Sequence, residues 1–179
     1  MQKNTIKKIL IAGEGGQGAQ TIAKILQRAA FLSGEKSLYV PNFGVEQRGG
    51  VTMAYLQISV SDIFYPKFSK ADIAVLLSPR SVDRAKEHID ENTDVVINLS
   101  LIKDFDEQTK SVTEIDATNI SLEKFSPRVF SAVVLGLIKK HFNYSEDVLK
   151  QAMEEELGGK FSRDEGLRKE NFRALHGNS

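Results

Sequence analysis

The residues best placed for chemistry in this chain are glycines rather than acids or nucleophiles. Ile9-Leu10-Ile11-Ala12-Gly13-Glu14-Gly15-Gly16-Gln17-Gly18 runs from an apolar segment into a glycine loop, and a helical pattern begins at once. The spacing Gly13-x-Gly15-x-x-Gly18 fits the dinucleotide-type fingerprint. In that arrangement Gly13 lets the chain turn sharply out of a buried strand. Gly15 lets the main chain approach a ligand, and Gly18 lets the helix pack tightly on its strand. Free N–H groups at the helix start favour an anion such as phosphate. A tight strand-to-helix turn with no ligand would also use these residues, but the strand before and helix after favour the ligand.

A second candidate is Arg48-Gly49-Gly50. As an RNA-binding element it would need repetition in a disordered context, and it occurs once, before a strand. As a site, Arg48 offers a planar five-donor fork suited to carboxylate or phosphate. An exposed arginine in a turn is an equal alternative. No catalytic residue and no metal ligand is assigned. His88, His141 and His176 lie far apart, none pairs at i+4, and each reads as a surface or helix-end residue. There is no Gly-x-Ser-x-Gly elbow, and the glycine loop does not end in Lys-Ser or Lys-Thr as a P-loop does. Glu14 and Glu46 are read as surface carboxylates.

Composition narrows the classes further. At 179 residues the chain reads as one domain, and it holds no cysteine, which excludes disulfides, thiolate zinc sites and cysteine-ligated clusters. Lysine plus arginine and aspartate plus glutamate both number 24, so no basic field favours nucleic acid. No apolar run approaches membrane length and no signal-type segment opens the chain, so a soluble, cytoplasmic protein is expected.

The elements that must carry the loop follow from periodicity. Gln17 to Ser33 reads as a helix, with Gly34 as its stop. Lys36 to Val40 is a second strand closing a βαβ unit. A nicotinamide dinucleotide unit carries an acid near the end of that strand, but Pro41-Asn42 stands there, which counts against NAD. Val51 to Ile58 is β-rich, with Ile63-Phe64-Tyr65 as a returning partner strand before Pro66. Ala71 to Leu77 and Asp94 to Asn98 read as parallel strands around a short helix from Ser81 to His88, and Thr113 to Asp116 as one more strand. The alternation then stops. Helices are expected from Arg128 to Phe142 and from Ser145 until Gly158-Gly159 ends the second. The expected fold is thus α/β and Rossmann-like, a mostly parallel sheet with an antiparallel excursion and a helical C-terminal third. Residues 1–160 form the domain, and 161–179 a C-terminal helix or a tail docked on a partner.

The glycine loop, the loop Phe43-Gly44-Val45-Glu46-Gln47-Arg48-Gly49-Gly50 and Lys70-Ala71-Asp72 before an apolar strand together resemble a known family. It is the gamma subunit, or gamma domain, of 2-oxoacid:ferredoxin oxidoreductases of the pyruvate, 2-oxoglutarate, 2-oxoisovalerate and indolepyruvate types. The resemblance continues through Arg128 to Gly136 and the closing Asn171-x-x-Ala174-x-x-Gly177. Many members carry Tyr-Gly-Pro-Glu where this chain has Phe43-Gly44-Val45-Glu46, and an asparagine where Ser131 stands.

The resemblance implies a non-catalytic subunit of an enzyme that converts a 2-oxoacid and CoA to acyl-CoA and CO2 and reduces ferredoxin. It implies alpha, beta and delta partners, with thiamine diphosphate and iron–sulfur clusters held there and no tightly bound cofactor here. CoA is the candidate ligand, at Gly13, Gly15, Gly16, Gln17 and Gly18 with Arg48, Gly49 and Gly50. The Phe43 to Gly50 loop and the segment from Phe161 to Leu175 are the surfaces expected to meet partners. The alternative is a stand-alone Rossmann-type nucleotide-binding or regulatory protein. A nicotinamide-dependent dehydrogenase is disfavoured by Pro41-Asn42 and by the missing catalytic set.

Overall fold

Short apolar runs in the central strands give this chain a sheet whose middle is covered on both faces. The computed structural model describes residues 6–43 and 50–177. Strands β1 (Lys7–Glu14), β2 (Lys36–Asn42), β3 (Val51–Ser59), β4 (Ile73–Leu76), β5 (Asp94–Asn98) and β6 (Ser111–Ile115) form one six-stranded sheet in the order β2-β3-β1-β4-β5-β6. β1, β4, β5 and β6 run parallel, whereas β3 lies antiparallel to both β1 and β2. The mostly parallel sheet with one antiparallel excursion is as expected, but the excursion sits inside the sheet, between the two strands of the first βαβ unit. Ile63-Phe64-Tyr65 is not a strand. Gln57 Nε2 instead donates to the Tyr65 carbonyl at 2.6 Å, which ties the turn back to β3 without a ladder.

Odd and even strand positions feed separate cores, as the two-residue pleat requires. Ile9 and Ile11 pack in one cluster with α1 (Ala19–Leu32), α4 (Phe130–Ile138), α5 (Glu146–Phe161) and α6 (Glu165–His176). Leu10, Ala12 and Leu76 pack on the other side with Ala85 of α2 (Pro79–Ala85). The chain therefore leaves β1 toward one face and β4 toward the other. The crevice between these two parallel strands is a topological switch point, where open α/β sheets bind ligands.

Three helical segments depart from the sequence reading or add to it. Residues Ala117–Lys124 form α3, which periodicity misses because its buried positions are the small Ala117 and Ser121. α5 runs through Gly158-Gly159 to Phe161. Two interior glycines cost about 1 kcal/mol each, but Phe161 is buried and meets Phe172 edge-on at 6.0 Å, which holds the last turn. Finally, the segment from Phe161 to Leu175, read as a last helix or a docked tail, carries the helix α6 and turns most of its apolar residues inward. Leu167, Ala174 and Leu175 lie in the core against α4 and α5.

His88 does close a helical turn, but it is buried, with its ring nitrogens 2.9 Å from the Tyr55 hydroxyl and 2.9 Å from the Ser69 carbonyl. His141 has a buried Nε2 with no partner among the described residues. Burial first, then Lys140 and to a lesser degree Lys7, hold its pKa below the ordinary 6.5, while Asp94 opposes them. Because the folded value lies below the unfolded one, the folded chain binds fewer protons and stability falls as pH drops through the ordinary histidine range. Urea midpoints should therefore decline from neutral pH toward about pH 5, and His141→Phe should flatten that limb. A separate acid limb belongs to Glu146, which Lys150 and His176 hold down at about 2. Its contribution is present above the ordinary 4.5 and is lost as pH falls toward 2.

Candidate ligand site at the carboxyl edge of the sheet

The carboxyl ends of the parallel strands bring the glycine loop together with segments far away in sequence. Gly13 is buried next to the end of β1, Gly15 and Gly16 are exposed, and Gln17 and Gly18 are half-buried before the start of α1. The Gly15 N–H donates to the Gly50 carbonyl at 3.1 Å. The two glycine stretches singled out by sequence are thus joined at this edge. Arg48 and Gly49 lie outside the described residues, as does the rest of the partner-facing loop between Phe43 and Gly50.

α1 follows its N-cap Gly18 with no side-chain cap and no acid in its first turn. Its first helical bond runs from the Ile22 N–H to the Gly18 carbonyl. The N–H groups of the preceding turn therefore have no acceptor within the helix, and the helix end carries about half a positive charge. An anion suits such a place better than a cation. By contrast, α2 begins with a capping box between Ser78 and Ser81 that closes that helix start internally.

Gln17 is engaged by the fold itself. Its Oε1 accepts the Glu14 N–H at 2.7 Å and its Nε2 donates to the Leu77 carbonyl at 3.1 Å, just beyond β4. A Cβ at Gly13 would lie 3.0 Å from Gln17 Oε1, so the glycine there leaves room for that side chain. The helix beginning at Gly18 makes its close approach to Ser131 at the start of α4, not to the strand as the fingerprint suggests. Beside the loop, a cleft of about 200 Å³ opens between Gly16 and Gln17 on one side and Leu101, Thr118 and Leu122 on the other. Leu122 is 62% exposed at its lip. Leu101, Thr118 and the buried Asn98 beneath them are functional candidates that sequence reasoning misses, because the Asn98 side chain bonds Leu77 and Thr118, 21 and 20 residues away.

The sheet order adds a geometric reason against NAD. β3 separates β1 from β2, so the end of β2 stands two strand spacings, about 9.5 Å, from the glycine loop. Among the described residues no cluster of acids and histidines could hold a metal ion, and no helix is long and apolar enough to cross a membrane.

Residues 8–176 match the family model described as pyruvate ferredoxin/flavodoxin oxidoreductase. The pyruvate synthase subunit PorC of Methanothermobacter marburgensis is 36% identical over 131 residues, covering 72% of this chain and 73% of that one. The common gamma subunit of the pyruvate/ketoisovalerate oxidoreductases of Pyrococcus furiosus is 30% identical over 164 residues, covering 84% of this chain and 89% of its own. The 2-oxoglutarate synthase subunit KorC of Methanocaldococcus jannaschii is 34% identical over 157 residues, covering 83% and 80%. Among solved structures, a 2-oxoglutarate:ferredoxin oxidoreductase from Magnetococcus marinus with 2-oxoglutarate, coenzyme A and succinyl-CoA bound matches with a TM-score of 0.85 at 23% identity. That match covers 98% of this chain but only 30% of that one. The gamma subunit of a keto/oxoacid ferredoxin oxidoreductase from Geobacter sulfurreducens matches with a TM-score of 0.72 at 17% identity, covering 96% and 99%. At these identities the structures speak for the fold.

Proposed function

Because the chain belongs to the gamma subunits of the 2-oxoacid:ferredoxin oxidoreductase family, we propose that it serves in an assembled enzyme with alpha, beta and delta partners. That enzyme converts a 2-oxoacid, CoA and oxidised ferredoxin to an acyl-CoA, CO2 and reduced ferredoxin. Thiamine diphosphate and the iron–sulfur clusters belong to the partners in this reading, which agrees with a sequence that contains no cysteine. This chain's part is structural and ligand-holding.

The ligand is CoA, and Gly13, Gly15, Gly16, Gln17 and Gly18 together with Arg48, Gly49 and Gly50 form its anion site. The observation that carries the reading is the Gly15 N–H to Gly50 carbonyl bond, which brings the residue following Arg48-Gly49 against the glycine loop. The Gly15 N–H is spent in that bond, and the uncapped start of α1 supplies the free donors. When bound, CoA supplies the thiol that receives the acyl group. The residues here would hold one of its phosphates and leave the chemistry to the partners.

Arg48→Ala in the assembled enzyme tests this. A charged hydrogen bond to phosphate is worth about 1.5–3 kcal/mol, so the KM for CoA should rise roughly tenfold or more. The KM for the 2-oxoacid should stay nearly unchanged. Normal CoA kinetics in a complex that dissociates would make Arg48 an interface residue instead.

A further inference from the structure

Two carboxamides from distant parts of the chain meet on a single carbonyl oxygen at the switch point. Leu77 is fully buried, and its N–H donates to the Ala12 carbonyl at 2.9 Å, which fixes the end of β4 against β1. Its own carbonyl accepts Gln17 Nε2 at 3.1 Å and Asn98 Nδ2 at 3.1 Å. A carbonyl oxygen has two lone pairs, so these two donors saturate it. Asn98 has no solvent exposure. The second hydrogen of its Nδ2 goes to Thr118 Oγ1 at 2.9 Å, and its main-chain carbonyl accepts the N–H groups of Leu101 and Ile102 at 3.0 and 2.9 Å. On the other side Gln17 closes the glycine loop through the Glu14 N–H at 2.7 Å.

We propose that Gln17 and Asn98 act as one clamp on the Leu77 carbonyl, so that the Gln17 side chain serves the anion site by positioning the glycine loop while its carboxamide stays engaged by the fold. The clamp registers the glycine loop against the wall made by Leu101 and Thr118, so both sides of the cleft move as one body. Burial makes this arrangement demanding. An amide lost on the Asn98 side leaves polar atoms in a place where water does not replace them, whereas Gln17 is half-buried beside the cleft. Its bearing on CoA rests on the anion-site reading above; the clamp itself does not.

A double-mutant cycle separates the two. Gln17→Met, Asn98→Ala and their combination are placed in the assembled enzyme, and amide hydrogen exchange is followed in the full gamma chain alone. Each single change should speed exchange of the hydrogen-bonded Glu14, Gly15 and Gln17 amides by roughly tenfold, as loss of one hydrogen bond implies. Each should raise the KM for CoA and leave kcat nearly unchanged. The double variant should do little more than the larger single one, because both act through one oxygen. Additive effects, or loop exchange that does not change, would overturn the clamp. Faster, non-additive exchange with a normal KM for CoA would leave the clamp standing and sink the anion-site reading. Should Asn98→Ala not fold, Asn98→Ser keeps a donor in a smaller volume and takes its place in the cycle.

Discussion

Gly18→Ala should destabilise the chain by about 2–3 kcal/mol, because it adds about 1–2 kcal/mol of left-handed backbone strain to a packing conflict. Gly18 has φ +73°, and a Cβ there would lie 2.0 Å from Ser131 Oγ and 3.3 Å from Ser131 Cβ. Ser131 stands in the first turn of α4, so the added methyl would push apart the two helix starts that meet at the glycine loop. Gly16 offers the control. It has φ +97°, and a Cβ there would meet nothing within 4 Å, so Gly16→Ala carries backbone strain alone. Combining Gly18→Ala with Ser131→Ala removes the hydroxyl but leaves the strain, and should return only the packing share. Urea unfolding of the three variants and the unaltered chain measures the ladder. If Gly16→Ala and Gly18→Ala cost the same, the Gly18–Ser131 approach contributes nothing to stability.

Particular residues show how far the sequence carries this fold. β1, β4 and β5 follow from short apolar runs, and the end of α1 from Gly34, because each signal is local. The position of β3 is not local. Its neighbours, β1 and β2, are fixed by pairing between residues 11 to 51 positions apart. All but one of the residues of Val51–Ser59 are buried, as suits a strand inside a sheet rather than at its edge. Of the candidate site, the glycine loop and Gly50 are legible from spacing, and their contact follows from strands that end at a common edge. The use of Gln17 is not legible, because its Leu77 partner is 60 positions away. Asn98 reads as the polar end of a strand, and only its burial reveals it as the hub beneath Leu101 and Thr118.

A chain ending at Phe161 should fail to fold cooperatively, although composition makes the segment beyond it look dispensable. Lys160 onward is charged and thin in apolar residues, which suits a tail that waits for a partner. The few apolar residues it has nearly all lie in the core. Leu175 and Ala174 have no solvent exposure and Leu167 has 7%. Each buried leucine is worth about 1.5–3 kcal/mol. With the half-buried Phe172 packed on Phe161, removing α6 loses about 5 kcal/mol or more, comparable to the whole stability of many domains. Polar contacts go with it. Glu170 accepts the Ser126 N–H at 2.7 Å and the Ser126 hydroxyl at 3.0 Å, which holds the turn leading into α4. The loss would therefore reach the helix start that meets Gly18. Thermal unfolding followed by circular dichroism should show a broad, weak transition for the shortened chain, with bound hydrophobic dye already at room temperature. A sharp transition at the full chain's midpoint would instead make α6 an appendage and return the segment to the role of a docking tail.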